Sequence, residues 1–180
     1  MASSLEKLEA SHPVIVQWHS FELRPKGSPP LPPEYKARIE AGRPRLYAAA
    51  QEQYGLTLNQ GPFGIDSRPA LIGAKYAEQM GVGPAYHKAV MHAYWEEAKN
   101  IEEIEELADL AVELGLNRMA FMDALDSASF ERAVLADIAQ AHEYGINAVP
   151  SLVFADKYLV SGAQPYEVLT RVVEQIRKEQ

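Results

Sequence analysis

The chain has 180 residues, 47% of them apolar, no cysteine, and a formal net charge of -8. That length and apolar fraction support one folded domain, or one domain carrying a large insertion, with a real core. The acidic balance offers no basic stripe to neutralise phosphates, which argues against nucleic acid and an anionic membrane surface; zero cysteines exclude disulfides, cysteine-ligated metals and thiol chemistry by these residues.

The opening segment Met1-Ala-Ser-Ser-Leu-Glu-Lys-Leu-Glu-Ala lacks a hydrophobic signal region, and no apolar run approaches the length of a membrane span, so the expected location is cytoplasmic. Ser3 or Ser4 is expected to cap a short helix with Leu5 and Leu8 on one face, ending before His12-Pro13. Val14–Phe21 is rich in β-branched and aromatic residues and reads as a strand. The prolines at 25, 29, 30, 32 and 33, with Gly27, then demand an extended loop.

From Glu34 to Tyr144 the pattern is helical. One helix covers Glu34–Tyr54, with a break expected at Gly42-Arg43-Pro44, and Gly55–Asp66 is a loop. Ser67 and Pro69 start the next helix, which stops at Met80-Gly81, and Pro84 opens another through about Lys99. Asn100 should cap a helix whose first turns hold Glu102, Glu103, Glu105 and Glu106, where carboxylates suit the positive end of the dipole. Gly115 ends it, Asn117 caps a short helix, and Ala128–Tyr144 carries one more, stopped by Gly145. Ser151–Ala155 and Tyr158–Ser161 read as a hairpin turning at Asp156-Lys157. Pro165 opens the last helix, with Val168, Leu169, Val172, Val173 and Ile176 as its apolar face.

Several kinds of site are absent from the pattern. His87 and His92 are five apart and fall on different helix faces, and the other histidines are scattered, so no metal is expected. Gly81-Val-Gly83-Pro is a helix–helix turn and not a phosphate cradle, and no nucleophile elbow occurs. Tyr86, Tyr94, Trp95 and Phe121 could line the inner face of the helical block, turned towards a site in the rest of the chain, but their helical spacing favours ordinary core packing. The proline-rich loop is read as a stiff connector in preference to a groove ligand.

Two C-terminal motifs in combination carry a resemblance: Gly145-Ile-x-x-Val-Pro-x-x-Val and Val160-Ser-Gly-Ala-Gln-Pro165. With Phe21-Glu-Leu23-x-Pro25 and Ala93-Tyr94-Trp95-x-x-x-Lys99-Asn100-Ile101, they resemble the DsbA-like thioredoxin superfamily, and within it the cytoplasmic FrnE-type oxidoreductases. The resemblance runs from about Ala2 to Ile176 and implies an α/β, thioredoxin-like fold with a large helical insertion. It assigns residues 1–33 and 145–180 to an incomplete thioredoxin-like domain and residues 34–144 to the insertion. It also implies a cis bond at Val149-Pro150, and a substrate-binding segment at Ala148, Val149 and Pro150 whose backbone pairs with an extended peptide or takes a small thiol.

The family's first strand and its C-x-x-C motif have no counterpart here, so the N-terminal strand is missing or replaced. By resemblance that strand would lie between Val14–Phe21 and Ser151–Ala155, and its loss leaves a gap. Either the sheet recloses, or a strand-donating partner or second copy fills the gap by β-augmentation. Met1 is then an internal start or truncation boundary, or the protein is thiol-free. The activity implied is thiol–disulfide exchange, with this chain inactive alone. The alternatives are a thiol-free binding module, or a glutathione-dependent isomerase or transferase, like 2-hydroxychromene-2-carboxylate isomerase, using a serine upstream of the present N-terminus or at it, such as Ser3 or Ser4, whose ordinary reading is N-capping. No cofactor is expected.

Overall fold

The computed structural model describes residues 2–179 and the side chains of residues 3–179. Its elements are α1 (Ala2–Ser11), α2 (Pro33–Tyr54), α3 (Arg68–Gln79), α4 (Gly83–Trp95), α5 (Ile104–Glu113), α6 (Arg118–Leu125), α7 (Ala128–Glu143), β1 (Ser151–Phe154), β2 (Tyr158–Ser161) and α8 (Tyr166–Lys178). The chain forms two compact units. One comprises Met1–Leu23 with Ala136–Gln180, the other Arg24–Leu135. The boundary falls inside α7.

The helical unit Arg24–Leu135 is closed around aromatic side chains. Tyr86 of α4 and Phe121 of α6 are fully buried, with ring centroids 5.7 Å apart. Tyr76 of α3 meets Phe121 and Phe130 edge-on at 6.0 and 5.7 Å. Gly73 lets these elements meet: a Cβ there would lie 2.7 Å from Phe121 Cζ and closer still to the Tyr86 hydroxyl. The spacing of Leu107, Leu110 and Ala111 puts one buried stripe of α5 against α6 and α4.

In the other unit α1 packs on α8, and Leu5, Leu8, Leu169 and Val173 form a small core. β1 and β2 pair antiparallel, Leu152 opposite Val160 and Val153 opposite Leu159. The reversal starts one residue earlier than Asp156-Lys157 and spans three residues between the paired Phe154 and Tyr158: Ala155 and Asp156 take φ of 50° and 53°, and the Lys157 N–H donates to Phe154 O at 3.0 Å.

Several expectations are corrected. Val14–Phe21 is not a strand. It has a strand's alternation, with Val14, Val16 and Trp18 turned to the small core and Ile15, Gln17 and His19 outward, but no ladder partner among the described residues. Side chains hold it instead: Val16 N–H donates to Glu9 Oε1 at 3.1 Å and Ser20 N–H to Asp137 Oδ2 at 2.7 Å. Helix α2 runs unbroken through Pro44. The Glu40 carbonyl that Pro44 cannot serve belongs to an exposed residue, so water can take it.

Helix α4 ends at Trp95, four residues before Lys99, because Ala98 turns left-handed at φ 58° and Lys99 N–H folds back to Ala93 O at 2.9 Å. Asn100 caps a turn and not the helix: its Oδ1 accepts from Glu102 N–H at 3.2 Å, and α5 starts only at Ile104. Ser3 and Ser4 lie inside α1 and do not cap it. Asn117 does cap α6, accepting from Ala120 N–H at 3.0 Å.

Candidate functional site

The segment Ala148-Val149-Pro150 joins the end of α7 to β1. Gly145, at φ 70°, ends the helix; its N–H and that of Ile146 close the last turn onto His142 O and Ala141 O, both at 2.9 Å. The chain then runs out to solvent, with Ala148, Val149 and Pro150 all exposed and Val149 at 45%. The Val149–Pro150 peptide bond is cis.

The neighbours of Val149 are tied down. Ala148 O accepts from Ser151 Oγ at 2.8 Å, and Pro150 O accepts from the Gly162 N–H at 2.8 Å. That second bond reaches into the Ser-Gly-Ala-Gln run, where Gly162 takes φ 82° and Gln164 Nε2 donates to Ser161 O at 2.9 Å. The two motifs of the sequence therefore meet in one small structure. Val149 between them has no hydrogen-bond partner for its N–H or C=O among the described residues. A backbone donor and acceptor on an exposed residue, with both neighbours tied, are left available for hydrogen bonding.

Sequence reasoning missed the clamp beside this segment. Asp137, in the C-terminal half of α7, is largely buried. Its carboxylate takes the Ser20 N–H and also lies 2.9 Å from His19 Nδ1. It fastens the extended segment to α7, and Phe21 then meets the His142 ring edge-on at 6.3 Å. An aspartate in a helical run carries no signal for such a role, because its partner is a backbone group 117 positions away.

The expected aromatic set divides. Tyr86 and Phe121 are core, as helical spacing suggests. Tyr94 is half-buried and Trp95 exposed, and both border a cavity within the helical unit. Burial raises the Tyr94 hydroxyl above its ordinary range, against the opposing pull of the Arg43 charge.

Comparisons with known proteins agree with this architecture. The family profile for the DsbA-like thioredoxin domain matches residues 1–174. The protein YwbO of Bacillus subtilis (strain 168) is 28% identical over 170 residues, which cover 92% of this chain and 84% of YwbO. The crystal structure of the probable DsbA oxidoreductase SCO1869 from Streptomyces coelicolor superposes with a TM-score of 0.84 at 28% identity, over 99% of this chain and 84% of that one. A structure of 2-hydroxychromene-2-carboxylate isomerase shares the fold, with a TM-score of 0.76 at 23% identity over 97% of this chain and 85% of that one. With its thioredoxin-like architecture, its helical insertion and no cysteine in its 180 residues, the chain belongs to the DsbA-like thioredoxin domain family.

Proposed function

We propose that this chain is the peptide-binding part of a thiol–disulfide oxidoreductase and performs no thiol exchange by itself. The observation that carries the reading is the free main chain of Val149, held between the tied carbonyls of Ala148 and Pro150. An extended substrate would donate its N–H to Val149 O and accept from Val149 N–H, as in one antiparallel bridge. Such pairing reads backbone and not sequence, which suits a broad range of unfolded substrates. Exchange itself needs a thiolate to attack a disulfide sulfur, and no residue here supplies one.

The dithiol would come on an added strand. Val14, Val16 and Trp18 of the extended segment and Leu152 and Phe154 of β1 all pack against one small core. An extended strand with alternate apolar residues suits that arrangement, and a strand-donating partner is part of this proposal. The cytoplasm is its proposed compartment, checked by fractionating cells that express a tagged chain. The glutathione-dependent isomerase reading gains nothing from the serines, since Ser4 is buried inside α1 and Ser3 lies on its exposed side.

The test is calorimetric titration with an unfolded, cysteine-free peptide alongside an insulin-reduction assay. The chain is expected to bind peptide and leave insulin disulfides intact. Val149→Pro, which deletes the N–H, should abolish binding, and Val149→Ala, which keeps the backbone, should retain it. Insulin reduction by the cysteine-free chain, or binding indifferent to Val149→Pro, would overturn the reading.

A further inference from the structure

The helical unit holds a cavity of about 160 Å³ between α2, the 59–63 loop and the end of α4. The loop wall is fixed to α4. Asn59 N–H donates to Trp95 O at 2.8 Å, its side-chain amide to Glu96 O, and Tyr94 Oη to Pro62 O at 3.2 Å. Gly61 sits so close that a Cβ there would lie 3.2 Å from Ala98 Cα and 3.3 Å from Tyr94 O.

The opposite wall carries Gly42 in the middle of α2. Glycine inside a helix costs ~1 kcal/mol relative to alanine, so a packing reason is expected. None exists, because a Cβ at Gly42 would meet nothing within 4 Å. Gly42 is exposed and borders the cavity, so a side chain placed there would have open space to enter. Next to it, the Arg43 guanidinium lies over the Phe63 ring, 5.8 Å from its centroid, with no carboxylate partner among the described residues. In a chain with 25 acidic and 17 basic residues, a guanidinium beside an aromatic cavity and without a carboxylate partner among the described residues is free to take an external anion.

We propose that this cavity binds a small aromatic carboxylate, with its single ring among Tyr47, Phe63, Tyr94 and Trp95 and its carboxylate on Arg43. The volume suits one ring, the size that an enclosed apolar void of ~150 Å³ accommodates, and the exposed Leu46, Phe63 and Trp95 leave the cavity open for entry. Aromatic walls favour an aromatic guest through edge-to-face and offset contacts. The planar guanidinium fork matches a carboxylate in two parallel hydrogen bonds. The Tyr94 hydroxyl is already donated to Pro62 O, so the cation at Arg43 sets the ligand's charge. This site lies in a different unit from Val149 and shares no residue with it, so either proposal can fail without the other.

The experiment uses benzoate against benzyl alcohol, the same ring without the charge. The chain has two tryptophans, and Trp18→Phe leaves Trp95 as the sole reporter; calorimetry on the unaltered chain reads the same event without that change. Benzoate should perturb Trp95 fluorescence saturably and bind at least about tenfold more tightly than benzyl alcohol. Arg43→Gln should remove that advantage and leave benzyl alcohol unaffected. Gly42→Leu should abolish both while keeping the helical circular dichroism, because leucine is the better helix former. No saturable signal up to roughly 10 mM benzoate, equal affinity for the two ligands, or undiminished binding by Gly42→Leu overturns the proposal.

Discussion

The two units spend similar residues to different effect. In Arg24–Leu135 the side chains of Tyr86, Phe121 and Leu107 are sealed from solvent inside a shell that leaves Phe63, Trp95 and Met119 exposed. In the unit formed by the two chain ends, Ile15 is 94% exposed, and Val149 and Leu159 each stand 45% open. The reason is the hydrogen-bonding habit of each element. A helix satisfies its backbone internally and needs neighbours only for its apolar stripe. An extended segment needs another strand for its backbone as well, and residues 14–20 find none among the described residues. The helices thus satisfy their own backbone, and the mixed unit presents main-chain groups at Val149 and an unladdered segment.

The largest expected effect tests whether the sealed core differs from the small one. Phe121→Ala should cost ~3–5 kcal/mol in urea unfolding, the range for a buried aromatic that leaves a cavity. Leu169→Ala, at an equally buried position beside partly open neighbours, should fall near the low end of ~2–5 kcal/mol. Equal losses would erase the distinction. Gly73→Ala sharpens it from the opposite direction, since the added methyl collides with Phe121; overpacking of ~1–3 kcal/mol is expected, read as a lower urea midpoint.

The next effect concerns the extended segment. Asp137→Asn weakens the acceptor that fastens Ser20, a hydrogen bond to a charged group worth ~1.5–3 kcal/mol. Amide exchange at Ser20 should accelerate while protection across α3 to α6 stays unchanged. Exchange that rises evenly over the chain would mean that Asp137 supports more than this segment.

Helix identity was legible in the sequence because periodicity and caps are local. Asn117, Gly115 and Gly145 marked ends that the structure keeps. The errors lie where a distant group decides. Val14–Phe21 has a strand's composition, and composition cannot report whether a partner strand is there. Pro44 looked like a break, but the carbonyl one turn earlier belongs to the exposed Glu40 and can bond to water. At the site, the Gly145 and Val160 motifs were visible as text, yet their joining through Gly162 N–H and Pro150 O, and the clamp at Asp137, required the folded chain. Gly42 and Arg43 looked like a helix breaker, and only the cavity beside them gives them another meaning.

The pH dependence follows from His87 in the helical unit. Burial holds its imidazole below the ordinary 6.5, so the folded chain disfavours the proton that the unfolded chain accepts. Between the lowered value and 6.5 the unfolded state binds more protons, and stability rises with pH. Its contribution is therefore whole above 6.5 and is lost as pH falls through that window. Urea midpoints measured from pH 7.5 down to about 5 should decline, and His87→Gln should flatten the decline. An unchanged slope in the variant would assign the acid sensitivity elsewhere.

The smallest effect is the one whose sign is most informative. The Tyr86 hydroxyl is buried with no hydrogen-bond partner among the described residues, and burial pushes its ionisation far above the ordinary range. An unmade hydrogen bond inside a protein costs ~1–3 kcal/mol, so Tyr86→Phe removes a penalty and not a contact. The same change relieves the tight approach at Gly73, since that hydroxyl is the nearest atom to the missing Cβ. Tyr86→Phe should leave stability unchanged or raise it by up to ~1 kcal/mol. Gly73→Ala should then cost less when combined with Tyr86→Phe than alone, a coupling that a double-mutant cycle measures directly. A clear loss of stability in Tyr86→Phe would mean that the hydroxyl has a partner, such as an enclosed water, and that the core of the helical unit is less self-sufficient than its sealed side chains indicate.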